Sequence, residues 1–557
     1  MKNKHLAPET KGKIDKAVFW PATILTLLMI IIFISAPVSS GQILEKIHAF
    51  TTGQLGWFFL LCTFAVVLFC IFLAGSRYGN VVLGEKGEQP AFSTCIWLGM
   101  IFTSGTGGSV LYLGAVEWIY IIQSPPFGLV PGSVDAARWA SAYGMFHWGP
   151  SAWAWYIASA VPIAYFLHVR KHTSLKISEF TRPLLGKRAD GLAGHLVNFL
   201  FMFGLLGGVM TSLALGTPLI SNAIVYVMGW ESNNAFIDTF VIFLWTFIPL
   251  VALIFGLKRG VAVLSDWNVK ADVIMLACIA VCGPLAFILN QSVDGLGLML
   301  QNFIYMSLQT DAIRNGGFPQ SWTIFYFSWW VVYSLPFGLF IAKISKGRTV
   351  RELVLGGLVA GSLGCMMFYM VLSSFGIELQ MKGAVDLVAI MAEKGRGAVV
   401  YTMLEQLPLS TVFIFAFGLI TLISYITGHC AVGYSLAATT QKTLAPDESP
   451  AHWNIAFWLI LAGVVSLSLY FINPQSLKPL QTVSILTAFP LCFVIYIVVH
   501  SFIKQINHDF PCGFPAPNDN GKVYLDYIPP VAATQEGLPD TEAIGAQPGS
   551  AICSSSF

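Results

Sequence analysis

The sequence predicts an all-α integral membrane protein of about 12 transmembrane helices, and three observations carry that fold class. Of 557 residues, 56% are hydrophobic and only 10% charged, with a mean hydropathy of +0.71, which is more apolar surface than one water-soluble core can hide. Twelve stretches reach the roughly 20 apolar residues that a bilayer-crossing helix needs. With the N-terminus cytoplasmic, 23 Lys and Arg fall on the cytoplasmic side of these stretches and 7 on the other. That asymmetry is what the positive-inside rule expects when both termini are cytoplasmic. It also accounts for the near-neutral net charge of +2 by topology, so the basic residues do not point to a nucleic-acid partner.

The spans are placed at 17–38, 56–76, 91–123, 135–168, 195–229, 236–256, 269–290, 320–344, 350–376, 407–440, 452–472 and 480–503. Residues 1–16 are charged and the first apolar run is long enough to cross, so this start reads as a cytoplasmic N-terminus rather than a cleavable leader. A transmembrane domain over 17–504 follows. The third span, "WLGMIFTSGTGGSVLYLGAVEWIYIIQSPPFG", holds Gly105, Gly107 and Gly108 within four residues, with Glu117 and Tyr120 beyond them. Three glycines weaken a helix and release backbone carbonyls, which a membrane tolerates only where they are buried in protein or line a cavity. Close packing of helices through small residues is the plainer alternative.

The fourth span reads "FHWGPSAWAWY", so Gly149-Pro150 breaks it beside Trp148. Trp153 and Tyr156 follow on one helical face, and Trp148 lies about 140° round from Trp153 unless the proline kink swings it back. Residues 293–316 are too polar to span and too apolar for a free loop, which predicts an amphipathic helix at the outer surface. In the eighth span, "FYFSWWVVYS" puts Trp329 and Tyr333 four residues apart on one face with Trp330 about 100° away, a curved aromatic wall. Residues 505–557 have few large apolar side chains and a Gly/Pro/Ala-rich end, the composition of a mobile cytoplasmic tail. Most of the ten cysteines lie within spans (Cys62, Cys70, Cys278, Cys282, Cys365, Cys430 and Cys492). They show no metal-ligand spacing and read as small apolar packing residues.

Aromatic rings that face one another around a void suit a cation that cannot donate hydrogen bonds. A quaternary ammonium interacts through the ring quadrupoles, at up to about 2 kcal/mol per desolvated contact, and a trimethylammonium group is the natural guest. A membrane enzyme would need a catalytic constellation, and the sequence has no His-Glu-x-x-His, no clustered carboxylates and no nucleophile elbow.

These segments resemble the betaine/carnitine/choline transporter family. The likeness is carried by the glycine segment with Glu117, by "YGMFHWGP", by "GGFPQSWTIFYFSWWVVYS" and by "KISKGRTVREL", and covers about residues 15–505. "SPPFGL", "FHWGP", "GGFPQ" and "LPLST" are most similar to the L-carnitine/γ-butyrobetaine antiporter branch. The resemblance implies a LeuT-like five-plus-five inverted repeat, over about 91–290 and 320–504, with substrate held near the midplane between spans 3, 4 and 8. It implies an aromatic box of Trp148, Trp153, Tyr156, Trp329, Trp330 and Tyr333, with Tyr120 contributing from span 3. It further implies a homotrimer in the plasma membrane, a bacterial inner membrane, and no cofactor.

Departures from the family pattern bear on coupling. Sodium-coupled members carry Gly-Met-Gly-Ile-Gly in span 3 and Thr-Ser-Ala-Asp-Ser in span 10. This chain has Gly105-Thr106-Gly107-Gly108-Ser109 and Ile426-Thr427-Gly428-His429-Cys430, which argues against simple sodium symport. Sodium-independent antiporters fill the ion positions with a basic residue and a methionine, and the aligned positions here are Ala262 and Phe337, so that mark is missing as well. His429 can place a positive charge near one former ion site or act as a hydrogen-bonded packing residue, and the same choice holds for His147 and Glu117. Substrate exchange without sodium is the expectation. A sodium- or proton-coupled betaine or choline symporter is the alternative, although this tail lacks the long basic helix of the osmosensing members.

Overall fold

The computed structural model describes residues 13–525 except 106, 173, 231–232, 255–257, 443, 445–447, 473–476, 512 and 519, with backbone alone at 103–105, 254 and 258–266. Among the described residues the regular structure is helical, with three isolated bridge pairs and no strand. The chain begins with α1 (Lys16–Ser35), α2 (Pro37–Gln54) and α3 (Gly56–Gly75). Asp15 caps α1 by accepting the Ala17 N–H, and Pro37 at the first position of α2 suits a helix start because its missing N–H has no partner there. α1 and α3 expose Leu27, Ile31, Leu61 and Ile71 along one side, as helices at a lipid boundary do. α2 was not expected from hydropathy, because its sequence is too polar to span; it buries a stripe through Ser40, Leu44, His48, Thr51 and Thr52.

The third apolar stretch is two shorter helices, α4 (Thr94–Gly105) and α5 (Gly108–Gln123), interrupted within the glycine segment. α6 (Val134–Trp148) and α7 (Pro150–Ala164) form one long span with a break at Gly149. α8 (Leu192–Met228) is 37 residues, so at 1.5 Å per residue it is about 55 Å long and must tilt to fit a bilayer. α9 (Ala235–Ile254), α10 (Lys258–Cys282) and α11 (Leu285–Leu308) follow.

α10 and α11 meet at Gly283-Pro284 with a bend of 113°, since Pro284 cannot continue the hydrogen-bond ladder of α10. α11 is the amphipathic element expected at 293–316, with a corrected extent. It starts earlier, and it ends at Leu308 where Gln309 turns extended, ahead of left-handed angles at Asp311, Asn315 and Gly317. Its buried side presents Gly295 to Ser141 and Met145 of α6.

The second half contains α12 (Ile324–Ile344), α13 (Val350–Met381), α14 (Leu387–Lys394), α15 (Arg396–Glu405), α16 (Ser410–Thr439), α17 (His452–Tyr470) and α18 (Lys478–Asp509). Thr349 and Glu352 form a reciprocal capping box at the start of α13, the arrangement that satisfies two orphan N–H groups at once. Among the described residues ten helices are long and apolar enough to cross a membrane, eleven if the bent pair counts as one span, so each of the twelve apolar stretches contains helix once the divided third stretch is added.

The last helix runs past the sequence boundary at 504 to Asp509. Asp509 accepts from Tyr165 at 2.6 Å and pairs with Arg170 at 3.3 Å, and Val523 pairs with the backbone at Asn80 and Val82. The start of the expected tail is therefore docked on the helical body, and 526–557 lie outside the described residues.

Candidate functional site

The site grows from the break in the fourth span. Pro150 has no N–H to offer, and Gly149 leaves the helix at φ −92° and ψ −144°. The break at Gly149 takes the Ser151 N–H away from the carbonyl of His147, which accepts the indole N–H of Trp330 at 2.9 Å in its place. This bond ties α12 to the end of α6 and fixes the orientation of the Trp330 ring. Trp148, the last residue of α6, stands nearly perpendicular to both tryptophans of α12, with centroids 5.0 Å from Trp330 at 87° and 5.9 Å from Trp329 at 86°. Tyr156 of α7 meets Trp330 edge-on at 5.2 Å and stacks on Phe337 at 5.0 Å and 11°. Tyr333 approaches Phe337 at 5.9 Å and shares a 2.8 Å hydrogen bond with Ser212 of α8.

These rings line a cavity of about 480 Å³ that also touches Gly107, Gly108, Ser109, Tyr425, Thr427 and His429. The cavity is thus bounded by α5, α6, α7, α8, α12 and α16, and its wall brings together Trp148, Tyr156, Trp329, Trp330 and Tyr333 of the expected box. Phe337 lies in the wall as well, stacked on the box tyrosine. A volume in this range is usual for a site that takes a small organic molecule.

Two expected box members stand elsewhere. Trp153 is fully buried behind Tyr156, at 5.3 Å and 72°, and packs so closely on α13 that a Cβ on Gly361 would fall 2.1 Å from its ring. It braces Tyr156 and does not line the cavity. Tyr120 sits about three turns along α5 from Gly108 and packs at a tilt on Trp322, with centroids 4.9 Å apart, beside Arg396.

Glu117 also lies behind the wall. It has no exposed surface, and its carboxylate accepts from the hydroxyls of Tyr326 and Tyr369, each at 2.6 Å, and meets His147 Nδ1 at 2.9 Å. The other ring nitrogen of His147 reaches Thr323 Oγ1 at 3.2 Å. A carboxylate in an apolar interior persists only with such partners. Tyr326 and Tyr369 in turn touch the Trp148 ring at 5.9 and 5.8 Å, so this polar cluster backs the aromatic wall directly.

The glycine segment divides into two parts. Gly107 is extended and has open space where a Cβ would be. Gly108 is pressed against Tyr425, whose ring atoms lie 2.2 Å from a built Cβ. The Tyr425 ring stacks on Trp245 at 4.5 Å and 10°, and its hydroxyl is 3.2 Å from Ser109 Oγ. Thr106 and the surroundings of Gly105 lie outside the described residues, as does the side chain of Ala262. In α16 the Thr427 hydroxyl donates to the Ser424 carbonyl, and His429 lines the cavity with its Nε2 unpartnered among the described residues.

Sequence reasoning missed Tyr326, Tyr369 and Tyr425. Tyr326 was within reach, since it precedes Trp330 by four residues on the same helical face. The other two come from distant segments with no local motif around them. Residues 17–511 match the family model described as BCCT, betaine/carnitine/choline family transporter, and on a match of that length the chain belongs to this family of membrane transporters.

Proposed function

We propose that this transporter carries a trimethylammonium compound of the carnitine, γ-butyrobetaine, betaine or choline class, by sodium-independent exchange with alternating access. The observation that carries the reading is the convergence of Trp148, Tyr156, Trp329, Trp330 and Tyr333 on one cavity. The rings come from three helices and meet largely edge-to-face, which leaves faces and edges turned toward the void. A methylated cation has no N–H to satisfy and gains from ring faces in a desolvated site.

Exchange without sodium is supported by the altered segments at 105–109 and 426–430. The aligned ion positions hold Ala262 and Phe337, not the basic residue and methionine of sodium-independent antiporters, so the reading of exchange rests on the altered sodium segments alone. A five-plus-five repeat, a plasma-membrane location with both termini cytoplasmic, and a homotrimer complete the proposal. The subunit contact is assigned to α11, which exposes Leu289, Val293, Leu300 and Ile304, a patch of the kind that marks an interface.

The test is uptake of labelled carnitine, γ-butyrobetaine, betaine and choline into proteoliposomes, with and without internal substrate and with and without a sodium gradient. Uptake that needs internal substrate and ignores sodium is expected. Uptake that needs an inward sodium gradient and proceeds into empty vesicles would replace exchange with symport.

A further inference from the structure

Arg396 is the first residue of α15, only 7% exposed, and neither of its terminal nitrogens has a hydrogen-bond partner among the described residues. A guanidinium cannot shed its charge, and an uncompensated buried charge costs far more than a paired one. The groups around it are the hydroxyl-bearing rings of Tyr112, Tyr120 and Tyr470, with the Tyr120 hydroxyl turned to the guanidinium, and Tyr470 in turn donates to the buried Asp238 carboxylate at 2.9 Å. These phenols are neutral, and neither terminal nitrogen of the guanidinium has a direct partner among the described residues, which leaves a place for an anion.

The position is fixed by close contacts. Gly395, at φ +82°, turns the chain into α15. Gly397 sits so near α8 that a Cβ would lie 2.4 Å from the Pro218 carbonyl oxygen and 2.5 Å from the Asn222 amide. The Tyr401 hydroxyl donates to the Leu219 carbonyl at 3.0 Å. Two residues before Pro218, Gly216 is pressed against Tyr425, which lines the cavity. The chain beside Arg396 therefore meets α8 two residues, about 3 Å along its axis, from a glycine packed on the cavity wall. By the distribution of basic loops, it does so from the outer side.

We propose that Arg396, with Tyr112 and Tyr120, forms an anion-binding station that receives the carboxylate of a zwitterionic trimethylammonium substrate passing between the outer face and the cavity. The proposal rests on the trimethylammonium reading above and narrows it to compounds that carry a carboxylate. The planar fork of arginine matches both carboxylate oxygens at once, and a tyrosine hydroxyl beside it adds a third donor. Choline presents the same cation without the anion and gains nothing from the station.

The test uses full-length protein in proteoliposomes, with labelled betaine and carnitine as substrates and tetramethylammonium and choline as competitors. Arg396→Gln is expected to raise KM for betaine and carnitine about tenfold or more, the usual scale for a lost charge-assisted bond, with competition by tetramethylammonium and choline within about twofold of wild type. Tyr112→Phe, which removes one oxygen and keeps the packing, should shift KM for the carboxylated substrates alone and by less. Arg396→Lys should recover part of the loss. Thermal midpoints measured in parallel report whether each variant is folded, and Tyr112→Phe carries the test if Arg396→Gln is not. Equal losses for carboxylated and carboxylate-free ligands, or unchanged KM in folded variants, would overturn the station. Wild-type protein that neither takes up nor is blocked by any of these compounds would instead overturn the trimethylammonium reading itself.

Discussion

The indole N–H of Trp330 donates to the carbonyl of His147 across 2.9 Å, so the ring that forms one face of the cavity is also the cap of a broken helix. The two roles separate by substitution. Trp330→Phe keeps an aromatic face but leaves the buried carbonyl without a donor, which should cost about 1–3 kcal/mol of stability and leave most of the substrate affinity in place. Trp330→Leu removes both and should weaken binding at least tenfold, because an aliphatic wall offers a quaternary ammonium little. Trp329→Leu should also lose tenfold in affinity. Titration by intrinsic fluorescence, with a thermal melt of each variant, reads both quantities, and unchanged affinity in a folded Trp330→Leu protein removes α12 from the site.

Glu117 gives a prediction of the opposite balance, in which stability responds first. Its carboxylate holds His147, Tyr326 and Tyr369 together, and Glu117→Ala would strand all three polar groups in the membrane interior. A loss of about 3–5 kcal/mol is expected, from several buried groups left unsatisfied at about 1–3 kcal/mol each. Glu117→Gln retains the shape and one acceptor and should lose less. Because Tyr326 and Tyr369 back Trp148, the folded fraction of either variant should also bind substrate more weakly. A Glu117→Ala protein that melts like wild type would show that these three groups find other partners.

How much of this was legible beforehand depends on whether the signal was local. The positions of the helices follow from hydropathy, and the break at Gly149-Pro150 and the wall of Trp329, Trp330 and Tyr333 follow from chemistry confined to a few residues. Tyr120 could have been excluded from the cavity by arithmetic, since it lies twelve residues beyond Gly108 and hence about 18 Å along the helix axis. Trp153 shares a helical face with Tyr156, but periodicity fixes a face relative to its own helix and cannot say that α13 covers it. Tyr369 and Tyr425 reach the site only through packing of segments far apart in sequence. α14 and α15 are too short and too polar for a hydropathy window to register, and with them the Arg396 cluster stayed hidden.

Coupling is tested by ion replacement. With the family's span 3 and span 10 sodium segments altered, substrate binding measured by tryptophan fluorescence should be the same, within about twofold, in potassium and in sodium buffer, and counterflow should be unaffected by the switch, since a ligand with no differential affinity shifts no equilibrium. Strict dependence of binding on sodium would reverse this assignment.

A histidine outside the spans supplies a pH prediction. His172 follows the end of the fourth span and lies 5.3 Å from the Phe166 ring. Burial lowers its pKa from 6.5 to about 4, with Arg170 and Arg182 adding to the effect and Glu179 opposing it. The unfolded chain takes up the proton near 6.5, whereas the folded chain resists it down to about 4. The native state is therefore unaffected by this group above pH 6.5 and loses stability progressively as pH falls through that window. His172→Gln should flatten part of the decline in thermal midpoint between pH 6.5 and 4, with little change at pH 7.5. A variant whose pH profile parallels wild type throughout would show that the ring is solvated in solution.

The glycine segment yields the sharpest contrast, because two adjacent glycines face different surroundings. Gly107 has φ −107° and ψ 163°, angles open to any residue, and nothing within 4 Å of a built Cβ, yet it lines the cavity. Gly107→Ala should melt within about 0.5 kcal/mol of wild type while substrate affinity or turnover falls, since the methyl has no packed neighbour to displace and only the ligand or water to meet. Gly108 is the reverse case. A Cβ there would sit 2.2 Å from the ring of Tyr425, and that ring has no free direction because Trp245 stacks on it at 4.5 Å. Gly108→Ala should cost about 1–3 kcal/mol, the scale of overpacking in a well-filled interior, and should move Tyr425 in the cavity wall, so affinity falls together with stability. Tyr425→Leu combined with Gly108→Ala should restore much of the lost stability without restoring affinity, because the space is returned and the ring is not. Measuring thermal midpoint and substrate affinity on all three proteins decides the matter. Lost stability with retained affinity in Gly107→Ala, or full stability in Gly108→Ala, would mean that the two glycines serve the same purpose.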